Sequence, residues 1–351
     1  MSNQIELTKQ QLNAVDAIFY RVQQGESVSI LTGYAGTGKT TTLNYLIPQL
    51  NYQPNEIALA AYTGTAAKNI KIADKRGQTL HSLIYDPIMK RGVCVGFKRK
   101  SPEELASLKL ILIDEFSMVP QDMMEDILSF GIQVMLIGDP AQLPPIGDPN
   151  MFFNSSHAHL TDVHRQALGN PILNAATKIR EGDFVPDGNY GNILLVDKKK
   201  NLKQEWLRKD VQFVVGRNTT REKINSRIAG PRPFIGAKIM FLKNDKNGIT
   251  NGTFAEILKL KNSYGSYKLD VITDDNIVIT DYWADFNEQK NKKNQFFSLA
   301  YAITTHKSQG ATFDCRGVIV DESSFFKGQE RQIRYTALTR FTGNYPVVWL
   351  R

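Results

Sequence analysis

The sequence predicts an α/β fold built twice, interrupted by two β-rich insertions, and three observations carry that expectation. Continuous apolar runs alternate with helical patterns through the first half; a glycine-rich loop follows the first of those runs; the alternation returns later in the chain without visible repetition of sequence. The first strands are expected at Val28–Leu31, Ile57–Ala61, Leu110–Ile113 and Val134–Ile137. Runs without polar alternation suit strands covered on both faces, as in a parallel sheet. A helix is expected over Thr41–Leu50, directly after the glycine-rich loop. A second set of strands lies at Phe213–Val215, Leu299–Ile303, Val318–Val320 and Val347–Leu350.

Two segments depart from this plan. Residues 84–103 read as a hairpin, with Arg91 and Gly92 as its turn and a basic exit at Lys98–Lys100. Residues 231–297 carry short strands at Lys238–Leu242, Phe254–Leu260, Tyr267–Ile272 and Asn276–Tyr282, separated by Asn, Gly and Asp turns. That texture is a small all-β insertion, barrel-like in kind.

Bulk properties narrow the class. The 351 residues give room for two cores, and 42% hydrophobic with 22% charged residues is the balance of a soluble globular protein. No apolar run has the length of a membrane span, and the N-terminus lacks signal-peptide character. Cys94 and Cys315 show no metal-ligand spacing, which favours a reducing, cytoplasmic setting. A net charge of +8 mildly favours a polyanionic partner.

The chemistry begins at Gly33–Thr40, a complete P-loop pattern placed between a strand and a helix. Glycines let backbone N–H groups converge on phosphate oxygens, and the following helix N-terminus adds its dipole. Gly33, Gly36, Thr37, Gly38, Lys39, Thr40 and Thr41 form the expected ATP-binding set, with Lys39 on the β- and γ-phosphates and the Thr40 hydroxyl on Mg²⁺. Asp114 and Glu115 end the apolar run Leu110–Ile113 and point to different sides. Asp114 suits the Mg²⁺ shell; Glu115 is then free to act as general base on water, which favours hydrolysis over transfer to an acceptor. Gly138–Pro145 leaves another strand at the same edge, so Gln142 is placed to touch the γ-phosphate or the attacking water. A purely structural turn is the other reading of that proline-rich loop.

In order along the chain, these segments resemble the motifs of superfamily 1 helicases, and more closely the RecD/Dda branch of superfamily 1B. Leu7–Gln11 resembles the adenine-reading Q motif, Gly33–Thr41 motif I, Ala61–Lys68 motif Ia, and Thr79–His81 the next DNA-contacting motif. Asp114 and Glu115 resemble motif II, Gly138–Pro145 motif III, and Leu160–Gln166 the arginine motif that follows. Tyr301–Gly310 resembles motif V and Tyr335–Arg340 motif VI. The resemblance implies two RecA-like P-loop domains, one from residues 1–83 and 104–165, the other from 166–230 and 298–351. It implies that residues 84–103 are a strand-separating pin and 231–297 an SH3-like domain. Gln11 would read adenine, and Arg165 and Arg340 would reach the γ-phosphate as catalytic arginines.

The same resemblance implies a monomeric, ATP- and Mg²⁺-dependent DNA helicase of a bacterial or phage-infected cytosol, moving 5′→3′ on single strands and opening forked duplexes. Thr63, Thr79 and His81 in the first domain, and Thr305, His306 and Ser308 in the second, carry short polar groups suited to phosphate and sugar contacts. Phe97 is the aromatic expected against the splitting base pair, with packing at the hairpin base as the alternative. Replication or recombination proteins are further expected partners. An ATP-switched clamp on single strands and an RNA helicase are the competing functions.

Overall fold

A computed structural model of the chain describes residues 6–72, 75–90, 93–145, 147–163, 169–198, 201–243, 249–263, 266–286 and 296–351. Two compact units divide it, Met1–Gly169 and Asn170–Arg351.

In the first unit, helix α1 (Lys9–Gln23) starts at a capping box: the Thr8 hydroxyl accepts from Gln11 N while the Gln11 side chain accepts from Thr8 N. Its buried stripe, Ala14, Val15, Ile18 and Val22, is the helical spacing that lays it on a sheet. The sheet contains β1 (Val28–Gly33), β2 (Ile57–Ala61), β5 (Gln78–Thr79), β8 (Leu110–Asp114), β9 (Gln133–Gly138) and β10 (Ala158–Leu160) in the order β10-β1-β9-β8-β2-β5. Every pairing in it is parallel. A two-residue pair, β3 (Lys71–Ile72) and β4 (Lys75–Arg76), lies apart from it. The four expected strands are present, each with its bounds kept or extended.

Alternation explains why those runs are apolar throughout. Leu110 and Leu112 join the core beneath α1 and α2 (Lys39–Leu46), whereas Ile111 and Ile113 join the opposite core with Met123, Met124 and Ile127 of α5 (Gln121–Leu128). Truncating Ile113, fully buried, would cost about 2–5 kcal/mol. Helix α2 begins two residues before the expected Thr41, and at Leu46 it tightens into a 3₁₀ turn, Ile47–Leu50, that contains Pro48. Helices α3 (Gly64–Asn69) and α4 (Leu80–Ile84) are short, and the hairpin β6 (Tyr85–Lys90) with β7 (Val93–Arg99) follows α4 as a separate antiparallel pair.

The second unit carries α6 (Pro171–Glu181), α7 (Asn218–Ala229) and α8 (Glu330–Leu338). Its six-stranded sheet runs β11 (Gly188–Tyr190), β12 (Leu194–Asp197), β21 (Val347–Leu350), β20 (Arg316–Val320), β13 (Val211–Val215) and β19 (Ala302–Thr304). Only the β11 pairing in it is antiparallel. A five-stranded antiparallel sheet is formed by β17 (Val278–Ala284), β16 (Ser266–Thr273), β15 (Phe254–Ser263), β14 (Lys238–Phe241) and β18 (Phe297–Leu299). Tyr267, Leu269, Val271 and Thr273 alternate inward along β16, as a sheet with one covered face requires.

One expected strand is two. Leu299–Ile303 is divided between β18 and β19, which belong to different sheets. The break falls at Ala300 and Tyr301, where Ala300 N donates to Lys238 O and Tyr301 O accepts from Phe213 N.

Candidate active site

The parallel registers set Thr32 of β1 beside Gly138 of β9, and Ile113 of β8 beside Leu136. The loops leaving β1, β8 and β9 therefore emerge together at the carboxyl edge of one sheet, where ligands of open α/β sheets sit. Three groups of expected residues are brought together there.

The first is the P-loop. Gly36 and Gly38 both have φ of 80°, a conformation costly for other residues. A Cβ on Gly33 would lie 2.8 Å from Thr37 Oγ1 and 2.9 Å from Leu160 Cβ. Helix α2 starts at Gly38 with no side-chain cap, leaving its first amides turned to the loop. Lys39 folds back, its Nζ donating to Gly33 O at 2.7 Å and Tyr34 O at 3.2 Å. Both acceptors are neutral, so a phosphate is a stronger partner for that ammonium. Thr40 is exposed at the helix start and Thr41 half-buried. Loop, helix end and lysine fit a nucleoside triphosphate.

Gln11 is placed differently from expectation. It is 1% exposed, its Oε1 taken by Thr8 N and its Nε2 donating to Thr37 O and Gly38 O at 3.4 Å each. The side chain braces the P-loop from beneath and leaves little of the amide to read a base.

The second group is Asp114 and Glu115. Asp114 Oδ1 accepts from Glu115 N at 2.9 Å. Glu115 itself has φ of 51°, left-handed in a non-glycine residue, a conformation that stores strain of order 1–2 kcal/mol. Among the described residues no cluster of three or more His, Cys, Asp or Glu is arranged to hold a metal. Mg²⁺ keeps most of its ligands as water and phosphate, so its expected protein ligands, Thr40 and Asp114, need not form such a cluster.

The third group is the proline-rich loop. Asp139, 1% exposed, accepts Ala141 N at Oδ1 and Gln142 N at its carbonyl, so the turn is braced from inside. Gln142, 5% exposed, donates from Nε2 to Glu115 Oε1 at 3.4 Å. Its Oε1 is buried with no hydrogen-bond partner among the described residues. The braced amide thus addresses Glu115 directly.

The residues expected on DNA divide by exposure. His81, Tyr62, Tyr85 and Phe97 form an aromatic group, with His81 5.6 Å from Phe97, 5.8 Å from Tyr85 and 6.0 Å from Tyr62 between ring centroids. Phe97 is 50% exposed, and burial pushes the His81 imidazole below its usual pKa, Asp122 opposing. Thr63 and Thr79 serve as N-caps of α3 and α4, accepting from Ala66 N and Ser82 N, and Thr79 is buried. In the second unit Thr305 and Ser308 are buried, their hydroxyls donating to Val215 O and Thr305 O. Both hydroxyls are thus engaged within the loop. His306 lies against Phe326, ring centroids 5.6 Å apart and tilted by 44°, and burial lowers its pKa. Lys307 is the exposed residue of that turn, yet surrounding protein, and Arg221 after it, push its pKa down to about 8.

Arg340 also differs from expectation. Its guanidinium is buried and donates to Thr336 O, Ala311 O and Thr339 Oγ1 rather than projecting from its unit. Arg165 lies outside the described residues, as does the Arg91-Gly92 turn. Tyr62, Tyr85 and Lys307, which stand beside His81 or His306, are not among the residues that the sequence singled out for the site. Tyr85 stands four residues after His81 at the end of α4, a spacing that could have signalled the aromatic group.

Residues 6–190 match the family model described as AAA domain. The chain belongs to that family. This AAA-domain chain is 28% identical to the ATP-dependent RecD2 DNA helicase of Deinococcus radiodurans, over 95% of its own length and 48% of that protein's. It is 26% identical to the ATP-dependent DNA helicase Pif1 of Bdellovibrio bacteriovorus, over 99% of this chain and 89% of the other. A solved structure of Pif1 helicases at forked double-stranded DNA aligns with a TM-score of 0.65 and 26% identity, covering 98% of this chain and 92% of that one. The AAA-domain chain thus stands with the superfamily 1B, RecD/Dda-like helicases, sharing the α/β build of their parallel sheets. It spans about half the length of the RecD2 relative. Among the described residues, no helix is long and apolar enough to cross a membrane.

Proposed function

We propose that the chain is an ATP-driven DNA helicase that moves 5′→3′ along a single strand and parts the duplex ahead. The observation that carries this reading is the Gln142–Glu115 contact at the sheet edge beside Lys39 and Asp114, which ties a loop outside the P-loop to a candidate general base. Glu115 takes a proton from the attacking water, and the unpartnered Gln142 Oε1 offers that water a second acceptor. Lys39 leaves the Gly33 and Tyr34 carbonyls for the β- and γ-phosphates. Mg²⁺, held through Thr40 and Asp114, neutralises phosphate charge when bound. Arg340 exchanges neutral acceptors for the γ-phosphate when nucleotide closes the two α/β units, and Arg165 is proposed as a second such arginine. The five-stranded antiparallel sheet serves as the SH3-like domain and the β6–β7 hairpin as the pin, while Lys307, His81 and the neighbouring aromatics hold the strand.

The test is ATP turnover and unwinding on forks carrying a 5′ or a 3′ single-stranded tail, in DNA and in RNA. Strand-stimulated turnover with opening of the 5′-tailed DNA fork is expected. Lys39→Ala should abolish hydrolysis, and Glu115→Gln should keep ATP binding while losing turnover. Turnover without opening of any fork would make the protein a translocase or clamp; preference for RNA strands would replace the DNA reading.

A further inference from the structure

We propose that Asp126 is a positioning residue for strand separation, its one carboxylate tying both strands of the β6–β7 hairpin to helix α5. This rests on the helicase reading above. Tyr85 on β6 and Arg99 on β7 are direct cross-strand partners. Each donates to a different oxygen of Asp126: Tyr85 Oη to Oδ2 at 2.6 Å, and Arg99 Nη1 to Oδ1 at 3.2 Å. Arg99 also donates to Ser129 Oγ at 2.7 Å, and Ser129 Oγ donates to Asp126 O at 2.6 Å, closing the tie at the end of α5. The Arg99 guanidinium stands 5.9 Å over the Phe130 ring. Helix α5 is in turn fixed to the P-loop sheet by buried Met123, Met124 and Ile127.

A lone two-stranded ribbon is marginal in water, so a hairpin that must resist a base pair needs an external anchor. Residues 97 and 99 point to one face of β7, and their partners Pro87 and Tyr85 share it. The tie therefore lies on the same face as Phe97, and the Tyr85 ring, anchored by its hydroxyl, stands 6.4 Å from the Phe97 ring. A hairpin released from Asp126 keeps its residues yet no longer holds Phe97 still relative to the moving sheet.

The experiment uses the full chain with Asp126→Ala, Tyr85→Phe, Arg99→Met and the triple variant, on a 5′-tailed DNA fork. Unwinding by Asp126→Ala should fall about tenfold while strand-stimulated turnover and the KM for ATP stay within about twofold. The Asp126→Ala, Tyr85→Phe double variant should be no worse than Asp126→Ala, because the Tyr85 hydroxyl acts through that carboxylate, while the triple variant also loses the Arg99 contacts with Ser129 and Phe130. Asp126→Glu should restore part of the loss. Hydrogen exchange provides a readout independent of activity: β6 and β7 amides should exchange about tenfold faster in Asp126→Ala, with α5 unchanged. Equal loss of turnover and unwinding, or unchanged hairpin exchange, would overturn the proposal. If the wild-type protein hydrolyses ATP on single strands but opens no fork, the helicase reading fails, and exchange alone then decides whether Asp126 holds the hairpin.

Discussion

Replacing Gln142 by glutamate preserves size and puts a second carboxylate where the amide now donates to Glu115. At 3.4 Å and an effective permittivity of about 20, two unit charges repel by ~5 kcal/mol, from 332/(20 × 3.4). Gln142 is 5% exposed, so solvent relieves little of that repulsion. The pair would instead share a proton, as close carboxylates do. A proton on Glu115 removes the base, and at about 1.4 kcal/mol per tenfold the repulsion is ample for a loss of roughly a hundredfold in kcat at neutral pH. Turnover should recover partly as pH rises to about 9, while the KM for ATP changes little, since the P-loop is untouched. Gln142→Ala is the comparator: one long hydrogen bond to a charged group, about 1 kcal/mol, corresponds to roughly fivefold. Strand-stimulated hydrolysis measured from pH 6 to 9 decides the matter. A Gln142→Glu protein with wild-type turnover at pH 7 would refute the contact and remove Glu115 from the role of base.

Further outcomes are expected. Thr305→Ala and Ser308→Ala should lower the thermal midpoint and leave the salt dependence of strand binding unchanged, whereas Lys307→Ala should flatten the slope of log K against log salt by about 0.7; a slope change in the hydroxyl variants would return them to the strand. Because the folded pKa of Lys307 is about 8, its help in binding is present below that pH and lost above it. Its depressed pKa also means the unfolded chain holds the proton longer, so stability contributed by this group rises between about pH 8 and pH 10. The His81 imidazole, lowered by burial, should titrate by NMR below about 6.5 and destabilise the fold as pH falls through that value; a higher midpoint would show a wet, loosely packed aromatic group. Phe97→Ala should reduce unwinding far more than ATP turnover, and equal losses would return Phe97 to packing.

The sheets were legible because their chemistry is local. Leu110–Ile113 reads as a strand covered on both faces, and the structure splits its residues between two cores. The P-loop and Asp114-Glu115 were legible for the same reason: short motifs at strand ends, brought together by parallel pairing. What sequence could not show was where long-range partners spend a side chain. Gln11 reads as a ligand residue but is consumed by Thr8 and the P-loop carbonyls, and Arg340 reads as a projecting arginine but satisfies oxygens of its own unit. Thr305 and Ser308 look suited to phosphate in sequence, yet the loop needs their hydroxyls. Asp126 carries no signal in the sequence, since its partners Tyr85 and Arg99 are 41 and 27 residues away.

The two-residue passage at Ala300 and Tyr301 has a mechanical consequence. Both residues are buried, and the Tyr301 hydroxyl accepts from Lys238 N while its carbonyl accepts from Phe213 N, so the passage is stitched to strands of both sheets. It is a weld rather than a hinge. The passage leads directly into β19, and from there into the turn at His306–Ser308, so the antiparallel sheet and that turn are joined by a short, hydrogen-bonded segment.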